Sequence, residues 1–438
     1  MSGNEMYHSV TLDKDKCTGC INCIKRCPTE AIRVRNGKAK IIKERCIDCG
    51  ECIRVCPNHA KKAIVDSLDM LKNYKYNIAL PAPSLYAQFK KQTDVNVILT
   101  ALIKIGFDDV FEVAKAADVV TEATKILMAT SDLPRPVISS ACPAVVKLIR
   151  IRFPNLIENI IPLHAPMEVA AMLARKRAME KTGLSNDEIG VFFISPCPAK
   201  ATVAKSITDD KMRIDGILSM KEVYVKILNV LSKIDKPMDL SDSSKYGIRW
   251  AMGGGEIHSL SKVADQYSTF AVDGIFNVLK ILEQLEDDQL RGIDFVEINA
   301  CYEGCIGGAL TVENAYLSKA YLKNVYENKN AEDVIEVDIE DLLLKEELDY
   351  IPVLKLSDDM LEAMEMLDKI DAVQSELPGI DCGSCGAPSC RALAEDVVRG
   401  FTETDDCIFK IRENVRNLIN QMLSIESHLP PPLRKPEE

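Results

Sequence analysis

The chain has 438 residues and a formal net charge of −12, and 47% of its residues are hydrophobic, with only 21 Gly and 20 Pro. That length exceeds one ordinary core and predicts roughly two to four domains, while the composition excludes a disordered chain. The acidic balance argues against nucleic acid as a ligand, and apolar runs such as residues 78–80 and 191–194 are far too short to span a bilayer.

Residues 1–10, MSGNEMYHSV, show neither a basic n-region nor an apolar h-region, so the expected location is cytoplasmic, with no membrane partner. In a reducing cytosol, sixteen cysteines point to metal ligation rather than disulfides.

In chain order, Cys17, Cys20, Cys23 and Cys27 precede Pro28 as C-x2-C-x2-C-x3-C-P, and Cys46, Cys49, Cys52 and Cys56 repeat the run before Pro57. In such a run three thiolates hold one cubane and the fourth reaches over to the other. The spacing therefore assigns Cys17, Cys20, Cys23 and Cys56 to one [4Fe-4S] cluster, and Cys46, Cys49, Cys52 and Cys27 to its twin. Strand-like segments at 9–12 and 40–42 precede the two halves, as an internal repeat requires. A zinc ribbon would use two C-x2-C pairs and leaves the third cysteine and the C-P ending unexplained.

Four cysteines then stand far apart: Cys142 in SSACPAV, Cys197 in ISPCPAKA, and Cys301 and Cys305 in NACYEGCIGG. Isolated cysteines are commonly buried free thiols. Here, however, two precede proline and a third meets Gly-rich chain, which suits loops at strand ends and a fourth cluster. Gly253, Gly254 and Gly255 lack the lysine of a phosphate loop and predict a strand-to-helix turn. The histidines His8, His59, His164, His258 and His428 show no metal spacing, and His59 is expected at the surface.

Near the C-terminus a helical stretch with Leu361, Met364 and Leu367 is expected to dock the central domain to a C-terminal cysteine module. There Cys382, Cys385, Cys390 and Cys407 give C-x2-C-x4-C-x16-C, with Gly383 and Gly386 allowing tight bends and 392–398 reading as a helix. The pattern resembles the small four-cysteine iron–sulfur domain of corrinoid iron–sulfur proteins, with a structural zinc knot as the alternative. After it, Ile408, Ile411, Val415, Leu418, Met422, Ile425 and Leu429 recur in steps of three and four before PPP at 430–432. The stripe fits a coiled-coil seam, and hence a homodimer, as well as it fits a helix packed on its own domain.

The three central segments, in order, resemble the three signature motifs of the [FeFe]-hydrogenase catalytic domain: TSCCP-type, PCxxK-type and E-x-x-x-C-x-x-x-C-x-G-G-type. The likeness extends to LPAPSLYAQF at 80–89, residues 101–124 and 272–282, and covers roughly residues 75–325. It implies an α/β, two-lobed catalytic domain. There the four cysteines hold a [4Fe-4S] subcluster, and Cys305 bridges to a diiron unit carrying CO, cyanide and an azadithiolate. It further implies that Lys200 lies beside a cyanide ligand, that Gly307 and Gly308 flank the cofactor, and that H2, protons and a redox protein such as ferredoxin are the partners.

Several positions depart from the family pattern. Ala141 replaces the cysteine that relays protons, and a lost general acid or base costs on the order of 10²–10⁴ in rate. Of two relay glutamates, Glu122 remains while the second position reads Lys125. Ser195 and Asn299 replace two methionines, and Ala201 and Val203 replace a lysine and a glutamate. Intact ligands with a broken relay resemble the sensory branch of the family, which implies slow turnover and H2 sensing, and the C-terminal helix leaving a redox domain suits passing that state to a kinase or phosphatase. An iron–sulfur scaffold, or an electron-transfer subunit without a diiron unit, is the alternative.

The expected organisation is a two-cluster α+β ferredoxin-like domain at 1–74, the hydrogenase-like domain at 75–350, a linker helix and four-cysteine [4Fe-4S] domain at 351–409, and a C-terminal helix and Pro-rich tail at 410–438.

Overall fold

The computed structural model describes residues 7–90, 93–260, 266–329 and 336–427. Leu429, His428 and the PPP stop lie outside the described residues. Packing divides the chain into two compact units: Met1–Thr11 with Lys43–Arg54 and Lys61–Val353, and Leu12–Ile42 with Val55–Ala60 and Leu354–Glu438. Cys27 and Cys56 therefore belong to the second unit, and Cys46, Cys49 and Cys52 to the first.

Short strands β1 (Val10–Leu12), β2 (Ile32–Arg35), β3 (Lys38–Ile41) and β4 (Lys61–Ala63) punctuate the N-terminal cysteine runs, with single-turn helices α1 (Asn22–Lys25) and α2 (Glu51–Arg54) inside them. The strand-like segments expected before the two cysteine runs correspond to β1 and β3.

The larger unit is built on two parallel sheets. One has the order β6 (Asp109–Val110), β5 (Tyr76–Pro81), β8 (Ile189–Ser195), β9 (Gly216–Ser219), and the other the order β10 (Thr269–Asp273), β11 (Phe295–Asn299), β7 (Val137–Ile138). Parallel strands covered on both faces need unbroken apolar sequence rather than alternation. In β8, IGVFFIS, every residue is buried, and Ile78 of β5 lies opposite Val191.

Helices α3 (Val95–Lys104), α4 (Val113–Thr130), α6 (Pro166–Thr182) and α8 (Met220–Leu231) pack around the first sheet, and α11 (Ile275–Glu286) packs on the second. Arg175 on α6 ties its helix to the sheet. It donates to the carbonyls of Ile189 and Arg213 and to Asp215 Oδ2 at 2.7 Å, while Asp215 also accepts from the Val191 N–H. Glycines 253–255 join two helices, α9 (Lys245–Arg249) and α10 (Gly255–Leu260), rather than a strand and a helix. A Cβ on Gly255 would stand 1.9 Å from the Arg249 carbonyl oxygen, so only glycine lets the chain fold back onto α9. Helix α12 (Ala315–Glu327) follows the last cysteine motif.

In the smaller unit β2 and β3 form an antiparallel hairpin whose turn residues, Asn36 and Gly37, both have positive φ, as a two-residue hairpin loop demands. Arg33 and Arg35 of this hairpin both reach Asp396 Oδ2, at 2.7 and 2.9 Å, and the Val34 N–H donates to the Gly386 carbonyl. Asp396 lies on α14 (Cys390–Val398), which packs against α13 (Met360–Glu376).

The docking stripe expected on α13 is corrected here. Ile370 is the buried residue, while Leu361, Met364 and Leu367 face outward, because the helix uses its later turns to cover α14. Helix α15 (Ile408–Ser427) carries the expected apolar stripe fully outward, from Ile408 to Ile425, instead of packing on its own unit. No helix among the described residues is long and apolar enough to cross a membrane.

Arg175 and Asp215 are each only 4% exposed. Truncation at Asp215→Ala would leave the guanidinium buried and unpaired, and is expected to cost about 3–5 kcal/mol of stability. Urea unfolding should show that loss, with partial recovery in Arg175→Met combined with Asp215→Ala.

Candidate metal centre

Three strands of the larger unit end at the central cysteines. Cys142 follows β7 and caps α5 (Pro143–Arg152), Cys197 follows β8 and caps α7 (Pro198–Ala204), and Cys301 follows β11. The carboxyl ends of parallel strands are where such folds place ligands, and proline at the first helical position starts each helix without wasting an N–H.

Cys305 sits in the turn Gly304–Gly307. The four thiols converge, since Cys301 interacts electrostatically with Cys197, Cys142 and Cys305. Burial pushes the Cys197 thiol up to about 11 and the Cys301 thiol up to about 12. As thiolates they require positive charge beside them.

Lys200 supplies one such charge. Its Nζ lies 3.5 Å from Cys305 Sγ. Burial works against the ammonium, but Cys305, followed by Cys197 and Cys142, outweighs it and raises its pKa. The side chain is thus turned inward toward the cysteines, rather than lying free on the surface.

The remaining residues expected at the site divide into groups. Ala141, Asn299, Lys200 and Cys305 line one cavity. Ser195 is fully buried at the end of β8, where its hydroxyl donates to the Cys197 carbonyl at 2.8 Å and accepts from the Cys197 N–H, so it holds the ligand loop. Gly307 and Gly308 pack too closely for a side chain. A Cβ would lie 2.1 Å from the Tyr302 carbonyl oxygen at the first and 2.3 Å from that of Pro196 at the second. Glu122 and Lys125 pair with each other at 2.7 Å on α4, and neither is among the residues lining the cavity. Ala201 is buried in α7, and Val203 lies half-buried on the same helix.

Four polar residues of this site escape sequence reasoning. Glu256, Ser139 and Ser84 carry no local signature, and Glu297 has no role assigned to it there although it heads the E-x-x-x-C motif. Glu256 and Glu297 are both buried in the cavity wall. Glu256 accepts from Ser139 Oγ at 2.6 Å, and that hydroxyl accepts from the N–H of Ala141. Glu297 accepts from the N–H groups of Gly254 and Ile257 and from Asn299 Nδ2. Burial, with the charge of Glu297 second, raises Glu256 to about 8, and burial also raises Glu297.

Ser84 is fully buried on the cavity wall, and its Oγ has no hydrogen-bond partner among the described residues. It falls within LPAPSLYAQF, a stretch recognisable from sequence although the serine itself is not.

In the smaller unit Cys382, Cys385, Cys390 and Cys407 line one cavity of about 280 Å³. Gly383 and Gly386 both have positive φ there, as the expected tight bends require. Among the N-terminal cysteines of that unit, Cys17, Cys27 and Cys56 accept backbone N–H groups from Ala39, Ala31 and Ala60. Asn58, just past Cys56, donates to Thr18, just past Cys17, which ties the two loops together. In the larger unit Cys46 accepts from the Asp48 N–H, and the Asp48 carboxylate lies 2.9 Å from His8 Nδ1, an association that histidine spacing could not reveal. His59 is exposed, as expected.

Residues 75–309, more than half of the chain, match the family "Iron only hydrogenase large subunit, C-terminal domain". Residues 9–57 match a 4Fe-4S dicluster domain, and 377–409 match a family of Fe-S cluster domains. The chain belongs to the iron-only, or [FeFe]-, hydrogenase family, and the family matches support iron–sulfur clusters and a hydrogenase H-cluster.

Among its relatives, Iron hydrogenase 1 of Clostridium pasteurianum is 24% identical over 395 residues, covering 74% of this chain and 68% of the relative. The periplasmic [Fe] hydrogenase large subunit of Nitratidesulfovibrio vulgaris is 29% identical over 363 residues, covering 69% and 86%. A solved [FeFe]-hydrogenase variant from Chlamydomonas reinhardtii aligns with a TM-score of 0.48 at 18% identity, covering 63% of this chain and 92% of that one.

The site fits the H-cluster of that family. Four convergent cysteines, an ammonium directed at one of them and the unpaired Ser84 hydroxyl suit a cubane joined to a group with anionic ligands.

Because Glu256 and Glu297 hold protons more tightly folded than unfolded, their favourable contribution is complete below about pH 4.3. It is lost as pH rises through about 8. Glu256→Gln should therefore flatten the fall in Tm between about pH 5 and pH 8, measured by scanning calorimetry of the protein and the variant in matched buffers.

Proposed function

We propose that this chain is an [FeFe]-hydrogenase that interconverts H2 with two protons and two electrons, turns over slowly, and serves to sense H2 or redox state. The observation that carries this reading is the cavity where Cys305 and Lys200 face Ala141 and the Glu256–Glu297 pair. In the proposal Cys142, Cys197, Cys301 and Cys305 would hold the [4Fe-4S] subcluster, and Cys305 is the residue that would also hold the diiron unit bearing CO, cyanide and azadithiolate. When bound, that unit supplies the open metal position at which H2 is split or formed.

The protein's own residues orient, exclude water and move protons. Lys200 holds its ammonium where it can make a charge-assisted hydrogen bond to an anionic ligand, and Ser84 offers a second donor. Alanine at 141 cannot exchange a proton. Two buried carboxyls whose pKa values are raised can hold a proton near neutral pH, and Ser139 leads from Glu256 to the backbone beside Ala141. This makes the carboxyl pair the proton store of the cavity, independent of Glu122 and Lys125.

The accessory clusters, two on the N-terminal runs and one on Cys382, Cys385, Cys390 and Cys407, would relay electrons to a redox partner such as ferredoxin. The domain limits at 74, 350 and 409 mark these parts. The outward stripe of α15, with β-branched Ile408 and Val415 at one heptad position and Leu418 at the other, supports a second copy of the same helix as its cover. A dimer of such helices is a suitable output to a kinase or phosphatase.

A scaffold protein or a bare electron wire would share the cysteines but not the diiron unit. The matured protein is expected to show infrared bands of CO and CN and slow H2 evolution, and the absence of both would sink the hydrogenase reading. Glu256→Gln and Glu297→Gln should each lower H2 evolution by on the order of 10²-fold or more while leaving the infrared bands in place. For the dimer, light scattering should give twice the monomer mass for the full chain and the monomer mass for a truncation ending at Phe409.

A further inference from the structure

Helix α2 ends where the second cysteine run meets the central site. The Arg54 guanidinium donates to Glu51 Oε2 at 2.6 Å and to the carbonyl of Gly307, two residues past Cys305, at 2.5 Å. The Glu51 side chain is only 5% exposed, so the carboxylate aims the guanidinium. The same cation interacts with the sulfurs of Cys301 and Cys49.

The approach of the two loops is close. A Cβ on Gly50 would lie 2.5 Å from Ala309 Cβ and 3.2 Å from the Pro198 ring. Ile47 and Cys49 also pack in one apolar cluster with Cys142 and Cys197.

We propose that Arg54, aimed by Glu51, is a fixed positive charge that raises the reduction potential of the central cubane and so favours an electron there. The proposal rests on the reading above that both cysteine sets hold [4Fe-4S] clusters. In the step concerned one electron leaves the reduced accessory cluster, which is oxidised, and enters the central cubane, which is reduced. No bond breaks and no proton moves. An added electron increases the negative charge of a cluster, and a cation at a ligand sulfur stabilises that charge more for the nearer cluster. The Arg54 guanidinium reaches the Gly307 carbonyl, just past Cys305, so its charge favours an electron on the central cubane. Arg54 and Glu51 are positioning residues, since neither touches the reacting hydrogen.

The test uses the full chain produced without diiron maturation, so that the central site holds its cubane alone, with potentials read by electron paramagnetic resonance during a redox titration. A Cys301→Ser control identifies the central signal. Arg54→Gln is expected to lower the reduced-to-oxidised ratio of the central cubane about tenfold at fixed ambient potential, equivalent to about 59 mV for one electron. Glu51→Gln should move the ratio in the opposite direction, and Arg54→Lys, which keeps the charge, should retain most of it. Shifts of the same sign in Arg54→Gln and Glu51→Gln, or no shift in either at unchanged iron content, would overturn the proposal. A missing central signal in the unsubstituted protein would overturn the cluster reading itself, and the proposal with it.

Discussion

Several thiolates crowded into a buried site repel one another and lose their hydration, so they persist only if positive charge is placed among them. The larger unit is arranged around that requirement. Two parallel sheets deliver Cys142, Cys197 and Cys301 to strand ends, and a tight glycine turn brings Cys305 alongside. Burial holds the thiols of Cys197 and Cys301 well above their ordinary range, which makes them poor nucleophiles as free thiols and strong ligands once iron replaces their protons. Lys200 on one side and Arg54 on another add the remaining compensation.

The same balance of charge shapes proton handling. The family pattern puts a thiol beside the cofactor, whereas this chain puts a methyl group there and sets two carboxyls in the cavity wall. A buried carboxyl pair strongly prefers to carry at least one proton, because two adjacent negative charges away from water are costly. Ser139, Asn299 and the N–H groups of Gly254 and Ile257 bond the two carboxyls, which fixes their orientation. Burial thus raises both carboxyls, on a wall they share with Ala141.

Much of this is legible in the amino-acid sequence. The local cysteine runs are readable because a cubane dictates ligand spacing along the chain. The four scattered cysteines can be grouped because they are the ones left over, and because each lies near proline or glycine. Glu256, Ser139 and Ser84 are not legible. Nothing in their local sequence marks them, and they matter only because the fold brings distant segments to one wall, with Ser139 and Glu256 more than a hundred residues apart. Leu361, Met364 and Leu367 illustrate the opposite failure. An apolar stripe at helical spacing suggests a docking face, yet α13 turns Ile370 inward and leaves that stripe outside, since periodicity alone does not say which side a neighbour occupies. Glycines 253–255 do form a turn, but between neighbours other than those expected, because a tight fold-back between two helices demands the same residue as a strand-to-helix corner.

Gly307 and Gly308 sit so near the carbonyls of Tyr302 and Pro196 that backbone, and not a side chain, forms the wall behind Cys305. Backbone packed in this way has few alternative conformations to relax into. The loop that carries Cys305 is therefore held by main chain with little room to move aside.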